Sequence, residues 1–271
     1  MTIHIKKIVL LSLVTSSLLV ANDKPMSLGL AMAYMNNIVE LPSQQYNQIR
    51  KNNDYMKANV DALYSSTYMI TNLSAAYVYN DVVGIHAAIP MLSNDVTEKS
   101  GVGDAMVAAS LNLQYFIDEE GIYSSVVGFR YTFDNGEYVD GLGSGSTAFS
   151  IFWDASGELG KGFDGYGSVM WTYYSDKVNG RTLGDEDTGW IGLKHKCLLN
   201  DKIDTNLKLN WQTQFSTSTT DGYNIVDATL QWESDKLLKH IPMKVGIKIP
   251  IWDSSEVKNE FSVFVGIGGT F

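Results

Sequence analysis

Apolar and polar residues alternate one by one along several stretches of this chain. Residues 202–215, KIDTNLKLNWQTQF, are the clearest case. Their apolar positions are Ile203, Leu207, Leu209, Trp211 and Phe215, and their polar positions include Asp204, Asn206, Lys208, Asn210, Gln212 and Gln214. Because successive side chains of a β-strand point to opposite faces, the stretch predicts a strand with one apolar and one polar face.

The same alternation recurs along most of the chain and predicts about twelve strands. They lie near residues 26–36, 67–79, 82–91, 103–117, 121–133, 146–157, 165–176, 187–199, 202–216, 223–234, 242–251 and 259–271. Soluble sandwiches also alternate, but many of these strands reach about 10 to 14 residues, a length suited to tilted crossing of a bilayer. Pairs of aromatic residues lie at the ends of several apolar faces, where membrane barrels have their interfacial aromatic girdles. These pairs are Tyr131 and Phe133, Trp171 and Tyr173, and Trp211 and Phe215.

The predicted connections fall into two kinds that tend to alternate. Tight turns are predicted at Asn80-Asp81, at residues 118–121 and at Asn200-Asp201. Longer connections, rich in Gly, Asn, Ser and Asp, are predicted at 37–66, 92–102, 134–145, 177–186 and 217–222. Bacterial outer-membrane barrels combine short periplasmic turns with longer outer loops in this way. Residues 158–164 and 235–241 fit neither kind clearly.

The N-terminus predicts export from the cytoplasm. Lys6 and Lys7 precede a mostly apolar run from Ile8 to Ala21, which suits a signal peptide and is too short for a spanning helix. We therefore predict a signal peptide at 1–21 and a barrel at 22–271. Losing Lys6 and Lys7, with no acid lost, takes the net charge from −10 to −12. An acidic chain disfavours nucleic acid as a partner.

Composition agrees with an all-β fold. The chain has 5 Pro but 24 Gly, 15 Tyr, 10 Phe and 6 Trp, a profile closer to aromatic strands and tight turns than to helices. Cys197 is the single cysteine, so neither an intramolecular disulfide nor a thiolate metal cluster can form. Backbone pairing and apolar burial must therefore stabilise the protein.

The C-terminal segment FSVFVGIGGTF gives the most specific signal. It ends on Phe271, and Phe261, Val263, Val265 and Ile267 share the parity of that residue. This resembles bacterial outer-membrane barrels, whose assembly machinery recognises a terminal aromatic residue on an alternating strand. We predict an all-β, transmembrane, antiparallel up-and-down β-barrel of about 12 strands in the outer membrane of a Gram-negative bacterium, in contact with lipid and lipopolysaccharide. Hydrocarbon tolerates only a closed sheet, so the polar side chains must turn inward.

Two glycine-rich segments stand out within this pattern. Gly101, Gly103 and Asp104 are predicted to form a turn in which glycine supplies positive φ and the aspartate bonds the backbone. The segment with Gly141, Gly143 and Gly145, which includes LGSGS at 142–146, is predicted to be a flexible exposed loop, because no helix pattern follows to bind an anion at its N-terminus.

Both segments resemble the proteobacterial outer-membrane family assigned to transport in the phenol meta-cleavage pathway (MetA pathway of phenol degradation). The resemblance covers SGVGDAMVAASLNLQYF, residues 100–116, and FDNGEYVDGLGSGSTAF, residues 133–149. The family has a G-x-G-D entry to a strand and an lGtGs segment, but Pro-Thr-Gly is usual where Asp134-Asn135-Gly136 stands here. The resemblance implies a passive or gated channel for small, hydrophobic or aromatic solutes, with no enzymatic activity and no cofactor.

Charged residues at polar-face positions are the candidate functional residues, because rings of fixed charge set the selectivity of pores. The predicted lumen-facing set is Asp104, Arg130, Lys194, Lys208, Asp227, Lys244 and Lys248. Their signs are mixed, so no strong anion or cation preference is expected. Alternatively they pair with one another and fill the lumen. Residues 43–60 are predicted to be either an outer loop or a plug.

Other functions are weaker predictions. A barrel without transport activity, acting as a structural or adhesive surface protein, is the main alternative to a channel. His195 and Cys197 share a strand face, but that face is the outward one, so catalysis is not predicted there. A lipid hydrolase is a distant third, because none of the histidines after residue 21 stands in an H-x-S pattern. No metal site is predicted.

Overall fold

The computed structural model describes residues 54–95, 98–117, 123–137, 142–175, 177–178, 181–182, 186–200, 203–215, 222–238, 241–254 and 260–271. The first strands are β1 (Tyr55–Tyr64), β2 (Tyr68–Tyr79), β3 (Val83–Asn94), β4 (Lys99–Val102) and β5 (Met106–Asn112). After α1 (Gln114–Ile117) come β6 (Tyr123–Thr132), β7 (Ala148–Gly160), β8 (Phe163–Tyr174), β9 (Lys177–Val178) and β10 (Arg181–Thr182). The last strands are β11 (Glu186–Asn200), β12 (Ile203–Gln214), β13 (Tyr223–Leu238), β14 (Ile241–Asp253) and β15 (Ser262–Thr270). In this part of the chain no helix has the length and apolarity needed to cross a membrane.

The strands close into one barrel. Successive wall strands pair antiparallel, with β8 pairing directly with β11, and β1 also pairs with β15, which joins the two ends of the sheet. The short strands β4 and β5 both pair with β3, so together they form one strand of the wall. The described residues therefore form a closed antiparallel barrel of twelve wall strands, which confirms the predicted fold. The ribbon of β9 and β10 lies outside this sheet.

The exposure of the side chains of β12 confirms the apolar and the polar face that the sequence predicted for this strand. Leu207, Leu209 and Trp211 are 50%, 50% and 46% exposed, whereas Asn206 and Asn210 are buried. A soluble protein would show the opposite distribution, because apolar side chains would then fill the core. In a transmembrane barrel the exposed apolar side chains face lipid and the polar ones face the interior.

Exposed aromatic residues lie at both ends of the apolar surface. The six residues of the predicted pairs are all between 39% and 61% exposed. They lie toward the end of the barrel that carries the longer connections, which we call the outer mouth. Tyr77, Tyr79 and Phe271 are exposed at the opposite end, so aromatic residues border the apolar surface on both sides.

The two untidy segments of the sequence prediction are hairpins. Residues 161–162 join β7 to β8 with positive φ at Lys161 and Gly162. Strands β13 and β14 pair antiparallel as far as Leu238 and Ile241, and residues 239–240 lie outside the described ranges. The predicted turn at Asn80-Asp81 is confirmed, since both residues have the positive φ of tight hairpin turns. The predicted turn at 118–121, the signal peptide and the predicted strand 26–36 lie outside the described residues.

Strand β1 corrects the prediction of a connection at 37–66. It also places residues 55–60 in the wall, and not in the loop or plug predicted at 43–60. Its pattern is hard to recognise, because the outward positions include the small residues Ala58 and Ala62. The predicted connection 92–102 is also wrong, since β4 pairs with the last residues of β3.

The predicted strand 103–117 is interrupted at both ends. Residues Gly103 to Ala105 separate β4 from β5, and β5 stops at Asn112. The Asn112 side chain explains that stop, because its Oδ1 accepts a hydrogen bond from the Gln114 backbone N–H at 3.2 Å and its Nδ2 donates to the Asp81 carbonyl. An asparagine that accepts from the backbone two residues on favours a turn or helix start over a strand.

Candidate functional site: the barrel interior and its outer mouth

Six of the seven candidate residues stand at inward positions of wall strands. They are Arg130 on β6, Lys194 on β11, Lys208 on β12, Asp227 on β13, and Lys244 and Lys248 on β14. The seventh, Asp104, is fully buried in the gap between β4 and β5.

A chain of polar contacts crosses five wall strands inside the barrel. The Tyr166 hydroxyl on β8 donates to the Asn210 side chain on β12, passing over Gly192 of β11. Asn210 Nδ2 donates to Asp227 Oδ1 at 3.1 Å, and Asp227 Oδ2 lies 3.4 Å from Lys248 Nζ. A Cβ atom on Gly192 would lie within 2.1 Å of the Tyr166 ring, so a glycine is required under the tyrosine. The structure thus pairs two candidates, Asp227 and Lys248.

A second ion pair crosses the closure of the barrel. Lys244 Nζ on β14 lies 2.7 Å from Asp61 Oδ1 on β1. Gly266 of β15 stands between them, in register with both residues. Sequence reasoning missed Asp61, because it belongs to the strand that was not predicted.

Other inward cations also lie close to polar or acidic groups. Lys208 Nζ donates to Gln231 Oε1 at 2.8 Å, and Lys196 Nζ lies 2.8 Å from Asp204 Oδ2. Lys194 stands in register between Lys208 and Asp164. Positive and negative side chains are therefore interspersed on the inner wall.

The inner wall is buried around its whole circumference. Each wall strand contributes at least one buried inward side chain. In chain order these include Asp61, Ile70, Leu92, Ser110, Val126, Ser150, Thr172, Trp190, Asn206, Thr229, Lys248 and Phe264. These side chains have little contact with bulk water, unlike the lining of a wide pore of sixteen or more strands.

Some interior polar groups lack a protein partner. Both side-chain amide atoms of Asn72 and of Asn206, and the hydroxyl of Thr229, accept or donate no hydrogen bond in the described structure. Asn72 and Thr229 are 0% exposed. A buried polar group without a partner costs about 1–3 kcal/mol, so these atoms are suited to bind water or a polar group of a solute.

The Asp104 carboxylate joins the two segments on which the family resemblance rests, residues 100–116 and 133–149. Its Oδ1 accepts from the backbone N–H groups of Asn135 and Gly136 at 3.1 and 2.8 Å. Its Oδ2 accepts from the backbone N–H and the hydroxyl of Ser144, both at 2.7 Å. The prediction that this aspartate bonds the backbone is confirmed, although its partners lie more than thirty residues away.

Two expectations for the glycine-rich segments are wrong. Neither Gly101 nor Gly103 has positive φ. At Gly101 the constraint is space, because an added Cβ would lie 2.9 Å from Leu142 Cδ1. The LGSGS segment is not simply an exposed loop either, since Leu142 and Ser146 are buried.

One histidine lies beside a serine hydroxyl inside the barrel. His86 Nε2 lies 2.6 Å from Ser110 Oγ, a pairing that the sequence did not reveal. Both side chains are buried in the inner wall. His195 stacks on Phe163 and Cys197 is exposed. No three His, Cys, Asp or Glu side chains of the described ranges gather as metal ligands.

Comparison with known proteins supports the fold. No family model and no curated protein sequence matches the chain. It is similar in structure to an outer membrane channel from Pseudomonas putida F1, with 13% identity, a TM-score of 0.57, and coverage of 86% of this chain and 100% of that chain. It is also similar to the KdgM porin, with 8% identity, a TM-score of 0.53, and coverage of 79% and 99%. The chain thus has the fold of outer-membrane channels and porins.

Proposed function

We propose that the protein is an outer-membrane channel of a Gram-negative bacterium, through which small solutes pass by passive or gated diffusion. The observation that carries this proposal is the polar inner wall of a closed barrel, with the unpartnered side chains of Asn72, Asn206 and Thr229 facing inward. Export by the signal peptide at 1–21, contact with lipid and lipopolysaccharide, and assembly through Phe271 belong to the same proposal. No enzymatic activity and no cofactor form part of it.

The proposed solutes are small hydrophobic or aromatic molecules. Besides its polar groups, the inner wall carries the aromatic residues Tyr55, Tyr68, Phe152, Tyr166 and Phe264. Aromatic faces bind aromatic and apolar solutes well, and the polar groups nearby bind hydroxyl or carboxyl substituents. The resemblance to the phenol meta-cleavage family supports the same class, although membership of that family stays a prediction.

A measurement of charge selectivity in planar bilayers tests the proposed channel function. We expect the wild-type channel to conduct with weak selectivity, because inward cations lie beside acids. Asp227→Asn leaves the Lys248 ammonium without its carboxylate, so we expect the reversal potential in a salt gradient to shift toward anion preference. The control is Asp187→Asn, the same change on the outward face of β11, which should leave the reversal potential unaltered.

A barrel without transport activity is the second candidate function. The burial of inward side chains on all twelve wall strands favours it, because a filled interior conducts nothing. A well-folded barrel that remains silent in bilayers and gives no liposome swelling would support this alternative and overturn the channel.

A further inference from the structure

The β6–β7 connection places one apolar side chain inside the outer mouth. Gly101 of β4 pairs with the buried Leu92, whereas its neighbour Val102 pairs with the exposed Met91. Because strand side chains alternate, a side chain on Gly101 would point into the barrel. Leu142 Cδ1 fills that position, and Leu142 is only 6% exposed. The Leu142 side chain therefore packs on the inner face of the wall.

Asp104 fixes both described arms of this connection. One carboxylate oxygen binds the backbone of Asn135 and Gly136 on the arm that leaves β6, and the other binds Ser144 on the arm that returns to β7. Glycines allow the arms to touch, because a Cβ on Gly136 would lie 2.3 Å from the Leu142 carbonyl oxygen. A Cβ on Gly143 would lie 2.7 Å from Asp104 Oδ1. The Leu142 N–H also donates to the Glu137 carbonyl at 3.0 Å, and the buried Asp104 carboxylate is the side chain that ties both arms to the wall.

We propose that Leu142 limits the size of solutes that enter the outer mouth, and that Asp104 is the positioning residue that holds it there. This inference rests on the proposed channel function. The carboxylate is suited to the task because hydrogen bonds to a charged acceptor are about twice as strong as neutral ones. Four of them converge on one side chain, so one substitution weakens the whole attachment.

Thiol labelling tests the attachment without any transport measurement. Leu142→Cys is made in a Cys197→Ser background, since Cys197 is the single cysteine and is exposed. We expect slow reaction with a water-soluble maleimide, and an increase of about tenfold or more when Asp104→Asn is added, because the amide offers one acceptor where the carboxylate offers two. Val78→Cys, a fully buried inward position at the opposite end, should react equally slowly in both backgrounds. Equal rates at Leu142→Cys with and without Asp104→Asn would overturn the role of Asp104.

Liposome swelling with a series of neutral sugars of increasing size tests the size limit. Leu142→Ala and Asp104→Asn should both raise the permeation rate of the largest sugars relative to the smallest. Leu207→Ala is the matched control, because it truncates a lipid-facing leucine and should leave the size dependence as in the wild type. Heat-modifiable migration verifies the fold of each variant, and Leu142→Ala keeps the test informative if Asp104→Asn fails to fold.

The two measurements separate the possible failures. A conducting channel whose size dependence is unchanged in Leu142→Ala overturns the inference while leaving the channel function intact. If neither the wild type nor any variant conducts, the channel function is overturned and the size limit with it, whereas the labelling rates still report on the attachment.

Discussion

At the scale of single residues, the inner wall depends on glycines that leave space for their neighbours. Tyr166 lies over Gly192, and Phe264 lies over Gly246, each aromatic ring being the register partner of the glycine beneath it. At Gly266 the space is used by an ion pair, since an added Cβ would lie 2.2 Å from Asp61 Oδ1 and 2.3 Å from Lys244 Cε. The missing side chain lets the two charges meet across an intervening strand.

Gly266→Ala is therefore expected to weaken the barrel. The methyl group would displace Asp61 or Lys244, and we expect the free energy of unfolding to fall by about 1–3 kcal/mol. Guanidinium unfolding in detergent, followed by tryptophan fluorescence, measures the change. Gly269→Ala on the same strand is the control, because its Cβ would contact only the Phe271 ring, at 3.3 Å, and should cost much less. Equal losses for the two variants would contradict this role of Gly266.

At the scale of elements, β12 is the strand in which the two faces differ most clearly. Its outward residues meet lipid along the whole strand, so the cost of a charge there should depend on depth. Leu209 lies near the middle of the strand, whereas Thr213 lies four residues nearer the outer mouth. The two positions share one face and differ chiefly in depth.

Leu209→Arg is expected to destabilise the barrel by about 2–4 kcal/mol, the cost of a cation near the bilayer midplane. Thr213→Arg should cost roughly 0–1 kcal/mol, because its guanidinium reaches the interface. Equilibrium unfolding in liposomes of defined thickness measures both values. Similar costs at the two positions would show that this face of β12 does not span the hydrocarbon as we describe.

The same strands show what the sequence can and cannot predict. The prediction of 202–216 closely matches β12, Ile203–Gln214, because the large apolar side chains of Leu207, Leu209 and Trp211 mark successive outward positions. Strand β1 was missed because Ala58 and Ala62 give only a weak apolar signal. The inward parity of candidates such as Lys244 follows from alternation alone. The ion pair of Lys244 with Asp61 does not follow from alternation, because the register between the first and last strands cannot be derived from local sequence.

At the scale of the whole molecule, the barrel is closed by its first and last described strands. Eight residue pairs join β1 to β15 in register. Beyond them, the Met56 N–H donates to the Phe271 carbonyl at 3.0 Å and the Phe271 N–H donates to the Met56 carbonyl at 2.8 Å. We call this junction of β1 and β15 the seam. Phe271 is thus both part of the seam and the proposed recognition signal for the assembly machinery.

Deletion of Phe271 separates these two roles. It removes two hydrogen bonds from a long seam, so we expect the purified chain to refold in liposomes nearly as well as the wild type. In cells we expect a several-fold fall in the heat-modifiable form in the outer membrane, because the recognition signal is lost. Phe271→Tyr should restore assembly. Equal losses in liposomes and in cells would show that the residue acts only through the seam.

The seam also determines the order in which the protein can fold. Hairpins such as β7–β8 join residues that are close in the chain and can form early, whereas β1 cannot pair with β15 until the whole chain has been made. Because loop-closure entropy must be overcome before such distant contacts stabilise anything, cylinder closure is expected to be the slow kinetic step. Substitutions along the β1–β15 boundary should therefore change unfolding rates more than the speed at which the early hairpins appear.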